Sequence, residues 1–290
     1  MLQVSQSPEK QPCPIPVCPS SRAASGNDIQ VKSGQPAGMM LIPAARAALF
    51  YLGYILATII WGSLSVVVAW SMPPKARFSF VIGAWTRFVL WWLAIACGIQ
   101  VQVRGREHLP DTPCILLVKH QSTWDTLFAQ TLLSPQTTLI KRELLWIPFF
   151  GWAFSLLKPI AINRHARAGA FRQLMKTGAE RMAAGFSVTL FPEGTRMPWG
   201  KQGRFHPGGA ALASTTGAPV VVVAHDGGRY WPAHRFMKNP GTIEVRISPP
   251  IETEGEKAQK INNLAEKWLR REMSELERQA PPGSDVQVDH

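Results

Sequence analysis

The sequence predicts an α/β fold: a roughly seven-stranded, mostly parallel sheet covered by helices, with an N-terminal membrane-associated helical hairpin. Three observations carry this. Past residue 100, short apolar runs, often β-branched and bounded by Gly, Pro or polar residues, alternate with longer helical stretches. Before them, the 24 residues from Ala47 to Trp70 hold no charge, enough to cross a hydrocarbon core of ~30 Å as one helix. The chain has 290 residues, room for one large α/β domain and an appendage.

Taken in order, residues 1–40 are rich in Pro, Ser, Gln and Gly without periodicity, and are expected to be a disordered tail. The stretch is too long and too polar to open a signal peptide. A hairpin is expected over 41–100. Its first apolar segment is broken by Pro73 and Pro74; its second, VIGAWTRFVLWWLAIACGIQ, carries Arg87 and has only 13 uncharged residues from Phe88 to Gln100, short for a span. Trp85, Trp91 and Trp92 suit a membrane interface. Arg46 precedes the hairpin, Lys75 and Arg77 lie inside it, and Arg104 and Arg106 follow. A spanning hairpin with a cytoplasmic domain would place Lys75 and Arg77 outside, against the positive-inside rule. A hairpin that enters one leaflet and stays on the cytoplasmic side avoids that conflict, and is the expectation. A buried hairpin of a soluble protein would need much more chain to cover 24 uncharged residues.

The α/β domain is expected over 101–279, followed by a loose tail at 280–290. Strands are expected at 100–104, 113–118, 137–140, 159–162, 187–191, 219–224 and 242–247. Helices are expected at 123–133, 141–157, 166–184, 207–216 and 256–278. In such sheets ligands collect at the strand ends that feed helices.

Lys and Arg number 31 against 19 Asp and Glu, a net charge of +12. A basic chain suits a polyanion. The neighbouring apolar segment favours an anionic bilayer over nucleic acid, and the basic residues form no dense run of the nucleic-acid-binding kind. Cys13, Cys18, Cys97 and Cys114 have no metal-ligand spacing. They are expected to be incidental, in a reducing compartment, and no metal is expected.

The chemistry concentrates in VKHQSTWDTLF, residues 118–128. His120 follows an apolar strand, and Ser122 or Thr123 can cap the next helix. STWD has the form of a capping box, with Asp125 at the third helical position. Residues five apart on one helix differ by about 140° around its axis, so His120 and Asp125 can meet only across a turn, which the cap supplies. Asp125 could then orient one ring nitrogen and leave the other as a base. Alternatively, Asp125 merely caps its helix. LFPEGTR, residues 190–196, puts Glu193, Gly194, Thr195 and Arg196 at a second strand end. Gly194 permits a turn other residues resist, Arg196 offers a planar fork for phosphate, and Glu193 could take a substrate hydroxyl or hold Arg196. KPIAINR, residues 158–164, ends on Arg164, and FHPGGAALA, residues 205–213, is a glycine-rich helix entry able to approach phosphate. For these last two, a solvated strand end and an ordinary helix start fit as well.

His120 and Asp125 in H-x4-D, Arg164 in INR, FPEGTR, and Pro219 in APVVVVA occur in that order. Over roughly residues 80–250 this set resembles the four blocks of the glycerolipid acyltransferase family. Lys119 stands where the family usually has asparagine, and Asn163 where it has aspartate. His225 stands where many members are uncharged. The resemblance implies acyl transfer from acyl-CoA or acyl-carrier protein to the sn-2 hydroxyl of lysophosphatidate. It implies His120 as base, Asp125 as its partner, and Arg164, Glu193, Gly194, Thr195 and Arg196 as the glycerol-phosphate site. No cofactor is implied beyond the acyl donor as co-substrate. The implied location is the inner (cytoplasmic) membrane, with the catalytic domain facing the cytoplasm. Two alternatives remain open: an acyltransferase for another lysolipid or for glycerol-3-phosphate, and a non-catalytic anionic-lipid binder.

Overall fold

The computed structural model describes residues 37–163 and 167–280. The chain opens with α1 (Ala37–Val68). After a 3-10 turn, α2 (Pro74–Phe78) continues through a π-helical turn at Ser79–Ala84 into α3 (Trp85–Cys97). Pro73 and Pro74 sit at the N-cap and first helical position of α2, where a missing N–H costs nothing. Gly98, at φ 69°, ends α3 in the left-handed conformation that suits glycine.

The remaining elements alternate. They are β1 (Ile99–Arg104), β2 (Ile115–Val118), α4 (Thr123–Ala129), β3 (Gln136–Lys141), α5 (Phe150–Ser155), β4 (Ile160–Ile162) and α6 (Arg167–Ala183). Then come β5 (Ser187–Leu190), α7 (Gly208–Thr216), β6 (Val220–His225), α8 (Gly227–Tyr230), β7 (Gly241–Ile247) and α9 (Ala258–Gln279). Seven strands form a sheet in the order β1-β7-β6-β2-β5-β3-β4. Every neighbouring pair is parallel except β6–β7, which is antiparallel. The central strands β2, β5 and β6 are buried along their whole length, as a sheet covered on both faces requires.

One face of the sheet carries α6, α7 and α9, whose apolar side chains (Leu174, Leu212, Leu269) close on Ile115, Leu117 and Val222. The other face carries the N-terminal helices. Phe50, Phe78, Ile82, Trp85, Val89 and Leu93 join Leu116, Val118 and Trp124 in a single apolar core. No packing boundary therefore falls at residue 100. In their most apolar 18-residue windows, half of the Pro74–Cys97 stretch is buried against 17% of Leu41–Ser71, although both are long and apolar enough to cross a membrane.

The hairpin lies along the domain rather than projecting from it. At one end the Phe50 ring meets Trp231 edge-on at 5.3 Å, next to where Arg46 ties α1 to α3 through the Ala96 carbonyl (2.9 Å). In the middle, a Cβ at Gly62 would stand 2.8 Å from the Phe149 carbonyl oxygen, so the backbones touch there. At the other end Arg77 donates to the carbonyls of Ala69, Trp70, Met72 and Leu156.

Other boundaries also moved. Residues 1–36 and 281–290, expected as tails, lie outside the described residues, and α1 begins inside the expected tail, at Ala37. The helix expected over 141–157 is broken. A 3-10 turn spans Arg142–Trp146, Pro148 interrupts, and Phe149 stands at φ 62° before α5. Proline removes a donor and restricts the residue before it. The helix expected over 123–133 ends at Ala129.

Candidate active site

The site forms where β2 hands over to α4. Lys119 and His120 follow the strand, Ser122 takes the extended conformation of an N-cap, and α4 starts at Thr123. The Ser122 hydroxyl accepts from the Trp124 N–H (3.0 Å), while the Asp125 carboxylate reaches back to the backbone N–H groups of Ser122 (2.7 Å) and Gln121 (2.6 Å). This reciprocal cap turns the chain sharply between His120 and Asp125. Nδ1 of His120 then lies 3.0 Å from Oδ1 of Asp125. The carboxylate both caps the helix and holds the imidazole, so the two roles read as alternatives in the sequence are performed together. With Nδ1 donating to Asp125, Nε2 carries the free lone pair.

Asp125 is fully buried. Burial alone would push its carboxyl up. The charge and hydrogen bond of His120, the nearby His225 and the Gln121 N–H outweigh that and hold it below the usual carboxylate range.

His225, at the end of β6, lies behind this pair. Its Nε2 donates to the Lys119 carbonyl (2.8 Å), its Nδ1 accepts from the Gly227 N–H (3.1 Å), and Nε2 is 3.8 Å from Asp125 Oδ2. Burial lowers its pKa, opposed in part by Asp125. A neutral imidazole is the form that can both donate and accept here, and it props the residue next to His120.

Glu193 is expected at a substrate hydroxyl or on Arg196; in the structure its carboxylate bonds Lys119, His120 and Gly203 and not Arg196. It is buried, and both oxygens are engaged by the protein. Oε1 accepts from Lys119 Nζ (2.5 Å) and the Gly203 N–H (2.8 Å), and Oε2 accepts from the His120 N–H (3.2 Å). Lys119 itself is 1% exposed. Burial lowers its pKa, and Glu193 resists that shift. The carboxylate thus ties the loop after β5 to the backbone of His120.

The same loop places its next residues differently. Gly194 makes the turn at φ 68°. Thr195 and Arg196 line a cavity of about 830 Å³ together with His120, within the ~300–1,000 Å³ usual for ligand pockets. Arg196 forms no ion pair among the described residues. Most of the remaining lining is apolar and comes from α1, α4, β3 and the turn before α5; the Phe191 ring lies 4.3 Å from the His120 ring, tilted by 33°. Lys141, from the end of β3, and His234 also line it. Neither was singled out in the sequence. Lys141 does follow an apolar strand just as Arg164 does, the same signal. Arg164 lies outside the described residues.

The glycine-rich helix entry at 205–213 is a packing feature. A Cβ at Gly209 would stand 2.6 Å from a Leu117 methyl, so glycine there lets α7 approach the sheet. Among the described residues no three His, Cys, Asp or Glu side chains gather as a metal site needs.

The acyltransferase family model matches residues 100–226, which run from β1 through both strand-end loops to the end of β6. The chain is 45% identical over 241 residues to a 1-acyl-sn-glycerol-3-phosphate acyltransferase of Pseudomonas aeruginosa, covering 82% of this chain and 94% of that protein. It is 25% identical to the enzyme of the same name from Cocos nucifera, over 78% of this chain and 73% of that one. Among solved structures, the 1-acyl-sn-glycerophosphate (LPA) acyltransferase PlsC of Thermotoga maritima superposes with a TM-score of 0.69 at 25% identity, over 81% of this chain and 96% of that one. The coverage spans the N-terminal helices as well as the sheet, and the chain belongs to the acyltransferase family.

Proposed function

We propose that the protein is a membrane-associated acyltransferase. It moves a fatty acyl group from acyl-CoA or acyl-carrier protein to the sn-2 hydroxyl of 1-acyl-sn-glycerol-3-phosphate, giving phosphatidate. The observation that carries this reading is the His120–Asp125 pair, 3.0 Å apart, at the wall of an apolar cavity that also holds Arg196.

An alcohol is a poor nucleophile at neutral pH until a base takes its proton as it attacks. His120 Nε2 accepts that proton, and Asp125 stabilises the imidazolium. The alcohol oxygen bonds to the thioester carbon, and the resulting tetrahedral intermediate collapses by breaking the C–S bond. The imidazolium proton passes to the departing thiolate, so the enzyme returns to its starting state without an acyl-enzyme. Arg196 and Lys141 are the cations for the phosphate, and Arg164 is a third candidate by its motif. Holding the phosphate there positions the free hydroxyl at the base, which lowers the barrier strongly. The apolar lining receives the hydrocarbon chain. No cofactor is invoked besides the acyl donor.

Location follows from the helices and the charge. The hairpin is docked along its length, and the net charge is +12, which supports residence on one leaflet of the inner membrane, with the domain on the cytoplasmic side.

The test uses purified protein, labelled acyl-CoA and lysophosphatidate. Phosphatidate is the expected product, His120→Ala abolishes it with the fold intact, and Arg196→Ala raises the lysophosphatidate KM more than the acyl-donor KM. Turnover by His120→Ala, or a preference for glycerol-3-phosphate or another lysolipid, would overturn the corresponding part.

A further inference from the structure

The turn before α5 and α5 itself expose two tryptophans that do not line the cavity: Trp146 is 71% exposed and Trp152 50%. Ile147, 45% exposed, borders the cavity between them. Single exposed apolar residues are ordinary, but a contiguous set with two tryptophans marks an interaction site. The opposite side of this segment is well packed: Ala153 and Phe154 are buried, and the Phe150 ring meets Trp85 at 5.7 Å. The segment is therefore two-faced, and its outer face is held out by a rigid inner one.

That segment packs beside α1, which is itself widely exposed. The Gly62–Phe149 backbone contact sets the turn flush against the second half of α1. Arg77 then ties the end of α5 to the α1–α2 turn through the Leu156 carbonyl. On α1 itself, Ile60 is 65% exposed. Ile55 and Ile59 from α1 line the cavity together with Leu144 and Ile147 from the turn. Lys141 and Arg142 flank the segment with exposed positive charge, partly offset by the exposed Glu143.

We propose that residues 144–152 are a second bilayer-docking element. They insert into the same anionic leaflet as α1, with Trp146 and Trp152 as interfacial anchors and Arg142 at the headgroups. The argument has three parts. Trp favours the headgroup level. Cations beside apolar surface draw anionic lipid. Lastly, the hairpin meets the domain at both ends and in the middle: Phe50 on Trp231, Gly62 on Phe149, and Arg77 on the Leu156 carbonyl. A helix so tied meets the leaflet lying on it, and whatever is flush with its outer side enters too. The cavity edge between α1 and the turn then faces lipid, and a chain can pass into it without crossing water. This rests on the lipid-acylating reading above.

The experiment uses the full chain in vesicles of phosphatidylcholine and phosphatidylglycerol. Cys13 and Cys18 are replaced by serine, and the buried Cys97 and Cys114 are left. A fluorophore is attached to Trp146→Cys, to Ile60→Cys on α1, or to Gln259→Cys on α9. Positions 146 and 60 are expected to be quenched by nitroxide-labelled lipid and shielded from iodide, and position 259 the reverse. Iodide quenching at 146 without lipid quenching overturns the proposal. Shielding at 146 from both quenchers, with a dimer mass in detergent, also overturns it, because a second copy then covers the face. In parallel, Trp146→Glu/Trp152→Glu is expected to lose about tenfold or more of the rate on vesicle-embedded lysophosphatidate. Its rate on a short-chain, water-soluble lysophosphatidate should be unchanged. Equal loss on both counts against docking. If the parent protein acylates neither acceptor, the functional reading fails while the quenching result still decides the docking.

Discussion

Glu193 changes the meaning of its motif at the residue scale. In FPEGTR a carboxylate beside an arginine reads as part of a ligand site. Here its oxygens are shared among Lys119, His120 and Gly203, and it holds the His120 backbone in place. Removing one partner of a buried ion pair leaves the other charge uncompensated, at a cost of about 3–5 kcal/mol. Glu193→Gln keeps the shape but weakens the hold on Lys119 and on the His120 N–H. It is expected to lower kcat with little change in the lysophosphatidate KM, and to lower the unfolding temperature. A large KM rise at constant kcat would return Glu193 to the substrate. His225 belongs to the same scaffold. Its two ring nitrogens are both committed, and nothing in its place along the sequence says that it sits behind the aspartate.

At the scale of elements, the contact between α1 and the segment joining β6 to β7 turns on one lysine. Lys238 is buried. Its ammonium lies 3.9 Å from the Tyr51 ring centre, 4.7 Å from Trp231 and 5.2 Å from Phe50, and donates to the Phe236 carbonyl (2.7 Å). A cation enclosed by aromatic faces gains attraction, yet burial lowers its pKa to about 8, with Cys97 opposing the shift. The unfolded chain keeps this proton up to about 10.4. Between those values the unfolded state binds more protons, so the contribution of Lys238 to stability rises with pH. Lys238→Met is expected to flatten that rise in unfolding experiments run from neutral to alkaline pH in detergent. An unchanged slope would mean that the amine titrates as an exposed lysine does. Below pH 8 the cage holds an ammonium, and α1 is pinned by it at the end nearest Arg46.

For the whole molecule, the N-terminal helices are part of the core, even though two of their stretches are long and apolar enough to cross a membrane. Phe78, Ile82, Trp85, Val89 and Leu93 are buried against the sheet face that carries α4. Uncovering them forfeits about 2 kcal/mol or more per side chain, together comparable with the entire stability of a domain, about 5–15 kcal/mol. A chain beginning at Ile99 is therefore expected to aggregate rather than yield a soluble catalytic domain. A folded, monomeric product with a cooperative thermal transition would show that α1–α3 are an appendage after all. The same packing explains why charge rules alone left the hairpin undecided. Lys75 is exposed, but Arg77 is committed to four backbone carbonyls, so its position reports packing and not only topology.

Much of this was readable along the chain, because strands buried on both faces write unbroken apolar runs. ILLV, SVTL and VVVVAH stand out between polar turns. The cap at Ser122 was equally legible, since a capping box is a local device of four residues. From it followed the one geometry that lets His120 meet Asp125. Partners distant in sequence left no such trace. Glu193 meets Lys119 across 74 residues, and His225 reaches the Lys119 carbonyl across 106. Lys141 joins Arg196 only because β3 and β5 end side by side in the sheet. Periodicity and capping are short-range physics that each segment carries with it. Which carboxylate meets substrate, and which face of a helix meets lipid, depend on what the rest of the chain has already covered, and that is set only once the layers pack.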